Sequence, residues 1–598
     1  MIRKAMPVGA GERDPSPVAL SEADDGVSRR RLVTSLMGGL GAAAFLGCDA
    51  AASDASGSDL SGAVQSALSG ATSVRWCDTM LEQQAVTGGT KASAVNVCIR
   101  RGYAAPADGG GGVFVWTPDC NTPQSADPLG GVVVVPTGKR AGCWKRLFSG
   151  ALDVRWFGAK GDGLADDGPA IQKAVDAAAL GGLPVRVPAG RFKVTCAQSG
   201  SGLPATIRAG VIVPDGVTVF GEGRASVIYA PGGDPAPSFF STFVLSGSFI
   251  EIRGLCFRGD NGDGDGFGFV FGSRSAAAIS AVGFQKHDVS VLECWFENTV
   301  GYSIHNKTPE ESTLSRCRFN GNTMRWNGHG LTCSGALSEY VGNDMFESGQ
   351  IEARGHQCVV SGNRMAGVRN EGIAVFGDNV VVQGNEVDMT LVASPSFGAV
   401  GILLVGSHQA TVAGNTVKDP PSTAIQANSD PLAGRFPEGI SITGNTVLCS
   451  RTTAVGAAST SLITGSQVSG LVVSGNCLSG VLGPNFNTIL GVGLFSCAGV
   501  TVNNNVIKNI GIAGIDLEND TTSVVLQGNV IRNATTNCIS VQIGCSNVKL
   551  IANDCAGAVA DIRVDSGATG VRLIGNDAVT TSLDSAAVKY AAGNSWQD

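Results

Sequence analysis

The chain has 598 residues and a formal net charge of −8, and only 15% of its residues are charged. Glycine fills 84 positions, about twice average usage, and hydrophobic residues make up 43%. This balance speaks against disorder and against a nucleic-acid partner, which would call for a basic surface, and it favours turn-dense β structure.

The first 48 residues read as an address. Ser28-Arg29-Arg30-Arg31-Leu32-Val33-Thr34 resembles a twin-arginine export motif. The apolar stretch from Leu36 to Leu46 is too short to span a membrane, which takes about 20 residues. It ends at Phe45-Leu46-Gly47-Cys48, similar to a lipoprotein cleavage box. The sequence thus predicts an exported protein, held by a lipid on Cys48 or cleaved near Ala50 to Ala55 and released. Asp49 to Ser73, rich in Ala, Ser, Gly and Asp, reads as a flexible tether.

Residues 74–150 read as a small β module of short strands joined by glycine turns, as in Gly109-Gly110-Gly111-Gly112-Val113-Phe114-Val115-Trp116. Cys77, Cys98, Cys120 and Cys143 cluster here and are the disulfide candidates among 17 cysteines, with open connectivity. Cysteines further along read as small apolar core residues.

Asp166 or Asp167 is placed to cap a helix with Pro169 in its first turn. Ala170, Ile171, Ala174, Val175 and Ala178 line one face of that helix, which would close the end of a β solenoid. Leu183 to Phe192 follows as strand and turn. This run, with Phe157-Gly158-Ala159-Lys160-Gly161-Asp162-Gly163, the Asp166-Asp167 pair and Pro188-Ala189-Gly190, resembles the opening of the pectate-lyase-superfamily β-helix domain. The resemblance implies an all-β fold, a single-stranded right-handed parallel β-helix over residues 151–598, with a short N-terminal capping helix and a small preceding β module. It implies no particular reaction, because the superfamily holds lyases, hydrolases, epimerases, tailspikes and proteins without known catalysis.

A phrase recurs from there on: two apolar residues, a polar one, Gly-Asn, any residue, an apolar one. Its Asn falls at 343, 363, 385, 415, 445, 476, 505, 529, 553 and 576, and Cys294 and Cys317 read as earlier occupants of the slot. Spacings of 20 to 31 residues mean one coil per repeat, with insertions confined to particular corners. Stacking coils would pile up the asparagines as an amide ladder, and Asn also tolerates a left-handed turn.

Registering coils on that slot points Leu331, Ile351 and Ile373 inward, and Thr332, Glu352 and Ala374 outward. Ser334, Arg354 and Phe376 form the next outward row. A one-residue shift adds His305 and Lys307 to these rows, and His329 shares the preceding row with Glu371. His305, Lys307, His329, Glu352, Arg354 and Glu371 are therefore the candidate catalytic residues, on a patch about four coils tall. Such a face suits a uronic-acid-containing polysaccharide. Arg and Lys would neutralise a uronate, while His, Lys or Arg would take the C5 proton for β-elimination. Glu352 and Glu371 would alternatively serve hydrolysis as acid and base. The competing reading is a non-catalytic, surface-anchored carbohydrate-binding or structural solenoid.

Asn327-Gly328-His329-Gly330 is similar to the Gly-His-Gly element of polygalacturonase-type hydrolases, without that family's paired aspartates upstream. Asp162, Asp166 and Asp167 read as turn and cap residues. Asp260-Asn261-Gly262-Asp263-Gly264-Asp265-Gly266 has the look of calcium ligands but lacks a bidentate Glu, so calcium is the one cofactor left open. His356 and Asp378 read as corner residues, and His408 and His287 as lacking charged company. Asp516 and Glu518 point outward from one strand, far from the patch.

Overall fold

In the computed structural model, residues 73–596 are described except 90–94, 121–129, 139–140, 196–206, 231–238, 260–275, 282, 300–301, 307–311, 369–370, 391–398, 451–458 and 483–486, together with part of 62–71. The export signal and Cys48 lie outside the described residues. Residues 64–67, within the expected tether, are helical.

The main body is a parallel solenoid with three strands per coil. In one coil, Ile373–Val375 is followed by Val381–Gln383 and then Glu386–Asp388. Each pairs in parallel with its counterparts in the coils before and after. One of the resulting sheets has 15 strands. Its inward row runs Ile304, Leu331, Ile351, Ile373, Ile402, Ile425 in register, and all six are buried. No coil could bury this row alone, so stacking creates the core.

The Gly-Asn corner supplies the polar spine. Asn343 Nδ2 donates to Asn363 Oδ1 at 2.8 Å, Asn363 to Asn385 at 2.8 Å, and Asn385 to Asn415 at 2.9 Å. The chain of amides continues to Asn576 and Asn594 at 3.0 Å. Each Oδ1 also takes a backbone N–H, as from Asn363 to Asn385 at 3.0 Å, and each second amide hydrogen reaches a carbonyl, as from Asn385 to Val360 at 3.0 Å. These buried amides are thus saturated.

Two details of the sequence reading need correction. Asn322, not Cys317, occupies the ladder slot: it donates to Asn343 Oδ1 at 3.0 Å and accepts from the Cys294 backbone. Cys317 lines another corner, its N–H donating to Ser338 Oγ at 3.2 Å. The left-handed residue is also not the ladder Asn but the one before it, such as Gly384 at φ 62°, with Asn504 (φ 55°) and Ala552 (φ 52°) where the glycine is missing.

The solenoid's first end is covered by the helix Gly168–Gly181, burying the five predicted apolar positions. Gln172 extends the cover: its amide donates to the Ile212 carbonyl at 2.9 Å and accepts the Ile212 N–H at 2.7 Å. A side chain thereby replaces the missing partner of the edge strand Ile207–Val213. Asp166 caps the helix by accepting Gly168 N–H at 3.1 Å, whereas Asp167 turns back to clamp the N–H groups of Lys160 and Gly161. Ahead of the helix stands a five-stranded sheet drawn from residues 74–146, whose Cys120 and Cys143 are disulfide-bonded. Cys77 and Cys98 are free thiols with sulfurs 3.3 Å apart.

Insertions obey a rule that matters for function. The Gly-Asn corner always stays short, while the added residues fall at the two corners flanking the 15-stranded sheet. Eleven residues separate Glu386–Asp388 from Val400–Val405, and twelve, with the Asp430–Arg435 hairpin among them, separate Thr423–Asn428 from Ser441–Thr443. The outer face of that sheet is therefore the one flanked by the added residues.

Candidate functional site

The predicted register holds on that outer face. Thr332 pairs with Glu352 and Glu352 with Ala374, and the one-residue shift does bring His305 against Thr332. His305 is half-buried with its ring 4.4 Å from that of Tyr302. Lys307 lies outside the described residues. The His329 backbone opens the strand His329–Cys333, and its side chain is likewise outside them.

Glu352 is the centre of the patch. It is 5% exposed although it points away from the core. Its Oε2 accepts the Thr332 hydroxyl at 2.8 Å, and its Oε1 is ion-paired with Arg354. The Arg354 guanidinium lies over the Phe376 ring, 4.2 Å from its centroid. A planar cation stacked on an aromatic face and paired with a carboxylate has little freedom left. Burial raises the Glu371 carboxyl above its ordinary value, and the charge of Glu352 adds to this. The two acids therefore sense one another across neighbouring coils. Arg354 Nε and Gln350 Oε1 are buried without a protein hydrogen-bond partner.

Three clusters lie beyond this set. Asp378 is ion-paired with Arg435 and has His408 Nδ1 and His356 Nδ1 at 3.1 and 3.3 Å from its oxygens. Burial alone would raise its carboxyl, yet the His408 N–H and the Arg435 charge hold it below the usual range. His408 thus has charged company that the sequence did not reveal, because Arg435 sits on a hairpin of a later coil. His287 also has charged company, its sequence neighbour: its Nδ1 is 2.9 Å from Asp288, which clamps Arg316 at 3.0 and 2.8 Å and is held down to about 2 chiefly by that guanidinium. Further along the same sheet, Gln542 donates to both Asp516 oxygens at 3.1 Å, and Glu518 is pushed up to about 7 by its hydrogen bond with Asp516 and by burial.

Asn327 of the Gly-His-Gly element is structural. Its Oδ1 accepts the backbone N–H and hydroxyl of Thr299, both at 2.9 Å, and its amide donates to Phe296 at 2.8 Å. The Asp260–Gly266 run lies outside the described residues. Among the described residues, no three His, Cys, Asp or Glu side chains group to hold a metal ion.

Comparison with known proteins agrees with this architecture. Residues 151–393 match the family described as rhamnogalacturonase A/epimerase, pectate lyase-like, and residues 396–578 match that described as right handed beta helix region. Among curated proteins, the chain is similar to mannuronan C5-epimerase AlgE3 of Azotobacter vinelandii, 39% identical over 82 residues. It is similar also to mannuronan C5-epimerase AlgE1 of the same organism, 45% identical over 95 residues. These stretches cover 13% and 14% of this chain, and only 4% and 6% of the relatives' own length. Among solved structures, the A-module of mannuronan C-5 epimerase AlgE4 from A. vinelandii aligns at 16% identity and a TM-score of 0.41, covering 64% of this chain and 96% of that one. The fold is a right-handed parallel β-helix.

Proposed function

We propose that the protein is exported, with Cys48 as its lipid attachment point, and that it binds and cleaves a uronic-acid-containing polysaccharide on the outer face of the 15-stranded sheet. One observation carries the reading: a buried, outward-pointing Glu352 locked by Arg354 and Thr332, coupled to a half-buried Glu371 whose carboxyl is raised. Paired carboxylates in unequal environments are what glycosidic cleavage needs. Glu371, whose raised carboxyl keeps its proton to higher pH than an ordinary glutamate, donates it to the leaving oxygen. Glu352, fixed in orientation, acts on the opposite side of the sugar or on a water there. Arg354 is committed to Glu352, which leaves it unsuited to abstract a proton and favours hydrolysis over elimination by Arg354.

A second reading has its own support in the similarity to two mannuronan C5-epimerases, enzymes named for chemistry at C5 of a uronate. On this reading His305 takes the C5 proton, and elimination or epimerisation follows.

Residues 74–598, purified and offered a panel of uronic-acid and neutral polysaccharides, distinguish these outcomes. New reducing ends without unsaturated product mark a hydrolase. Absorbance from unsaturated uronate marks a lyase, and a changed uronate ratio without chain cleavage marks an epimerase. Binding without any product, from folded protein, would leave a carbohydrate-binding solenoid.

A further inference from the structure

The strand Thr423–Asn428 leaves the site-bearing sheet into a hairpin, residues 429–436, closed by backbone hydrogen bonds between Asp430 and Arg435 at 2.7 and 3.0 Å. The hairpin folds back along the solenoid. Over the preceding coil it lies against Gly406, where a Cβ would come within 2.8 Å of Arg435 Cβ and 3.1 Å of Asp430 Cβ. One coil further back, Arg435 Nη2 is ion-paired with Asp378 and Nη1 donates to the Phe376 carbonyl at 3.3 Å. Asp378 is itself fixed on both sides. Its Oδ1 accepts the His408 N–H at 2.9 Å, and its own N–H donates to His356 Nδ1 at 3.0 Å. Phe376 in turn carries Arg354, and Arg354 holds Glu352. Contacts run unbroken from the hairpin to the buried carboxylate.

We propose that Asp378 and Arg435 are positioning residues: their ion pair straps the 429–436 hairpin across three coils and so holds Phe376 and Arg354 in place around Glu352. The inference rests on the assignment of Glu352 and Arg354 to the site. A hairpin already closed by its own backbone needs no ion pair two coils away merely to turn the chain. The reach of Arg435 past a side-chain-free Gly406 to Phe376 is explained if the hairpin's task lies at the site. Its tip projects Leu432, fully exposed, and Phe436, just past the closing pair, is about half exposed.

Hydrogen exchange read by mass spectrometry on the full chain tests this without any substrate. Asp378→Asn and Arg435→Gln are expected to speed exchange of 429–436 roughly tenfold, and to speed it also at 351–356 and 373–378. Arg435→Lys is expected to restore most of the protection. Faster exchange confined to the hairpin would overturn the positioning role, and no change anywhere would overturn the strap itself. On a polymer that the wild type turns over, the neutral variants should lower kcat with KM little altered. A loss in KM alone would contradict the proposal. A wild type inactive on every polymer would sink the cleavage reading while leaving the exchange result to decide the strap.

Discussion

The Arg354 guanidinium is pinned between the Glu352 carboxylate and the face of Phe376, so three side chains from two successive coils act as one unit. Residues on one strand and its neighbour meet because the coil spacing is about 4.8 Å and alternate residues face outward. Phe376→Ala should therefore act through Arg354. We expect loss of turnover on the cleaved polymer of about tenfold or more, since a site held 1 Å too loosely loses rate steeply. Steady-state kinetics of Phe376→Ala against Phe376→Tyr, which keeps the aromatic face, measures it.

Glu371 as proton donor gives the reaction a limb on the alkaline side. Its raised carboxyl keeps the proton to higher pH than an ordinary glutamate, and activity falls as pH rises through that value. Glu371→Gln should remove this limb and lower the rate by roughly 10²- to 10⁴-fold. A pH–rate profile of both proteins checks it.

Glu518 bears on stability instead. Its folded value of about 7 lies above its ordinary 4.5, so folding favours the protonated form. The stabilisation is full below about pH 4.5 and is lost as pH rises through about 7. Wild type should thus be less stable near pH 8 than near pH 5, while Glu518→Gln should flatten that difference in urea unfolding.

The amide spine predicts an uneven cost. Asn385→Ala removes two donated bonds and leaves the Asn363 N–H and amide without their acceptor. Each buried group stranded in this way costs about 1–3 kcal/mol. Asn594→Ala, at the partly exposed end of the ladder, should cost less. Denaturant midpoints of the two variants give the comparison.

At the solenoid's first end, Gln172→Ala would strip the edge strand at Ile212 of both hydrogen bonds. Lower stability and concentration-dependent association through the bared edge are expected, measurable by thermal melts and light scattering.

Much of this was readable in advance, for physical reasons that differ by element. The Gly-Asn slot was legible because a left-handed residue followed by a self-pairing amide recurs at that corner, with Cys294 as an exception. The same rule misled at Cys317. Arg316 (φ 52°) and Glu293 (φ 53°) are both left-handed residues preceding a buried cysteine, so two different corners look alike in sequence. The outward row of Thr332, Glu352 and Ala374 followed from period-two alternation once the slot set the register. His305 joined it only through a one-residue shift, its coil's slot being Asn322 and not Cys317. What could not be read was anything carried by a loop between coils. Arg435 reaches Asp378 across 57 positions through the path of a hairpin, which no periodicity encodes. The burial that perturbs Glu371 likewise depends on its surroundings in the folded chain.

The most direct measurement compares Glu352→Gln with the wild type on whichever polysaccharide the wild type processes, following product formation and binding together. Binding should persist while product formation falls by two orders of magnitude or more, of the size seen when an acid–base group is removed. Turnover unchanged in Glu352→Gln would contradict it, and would move the chemistry off this face of the solenoid.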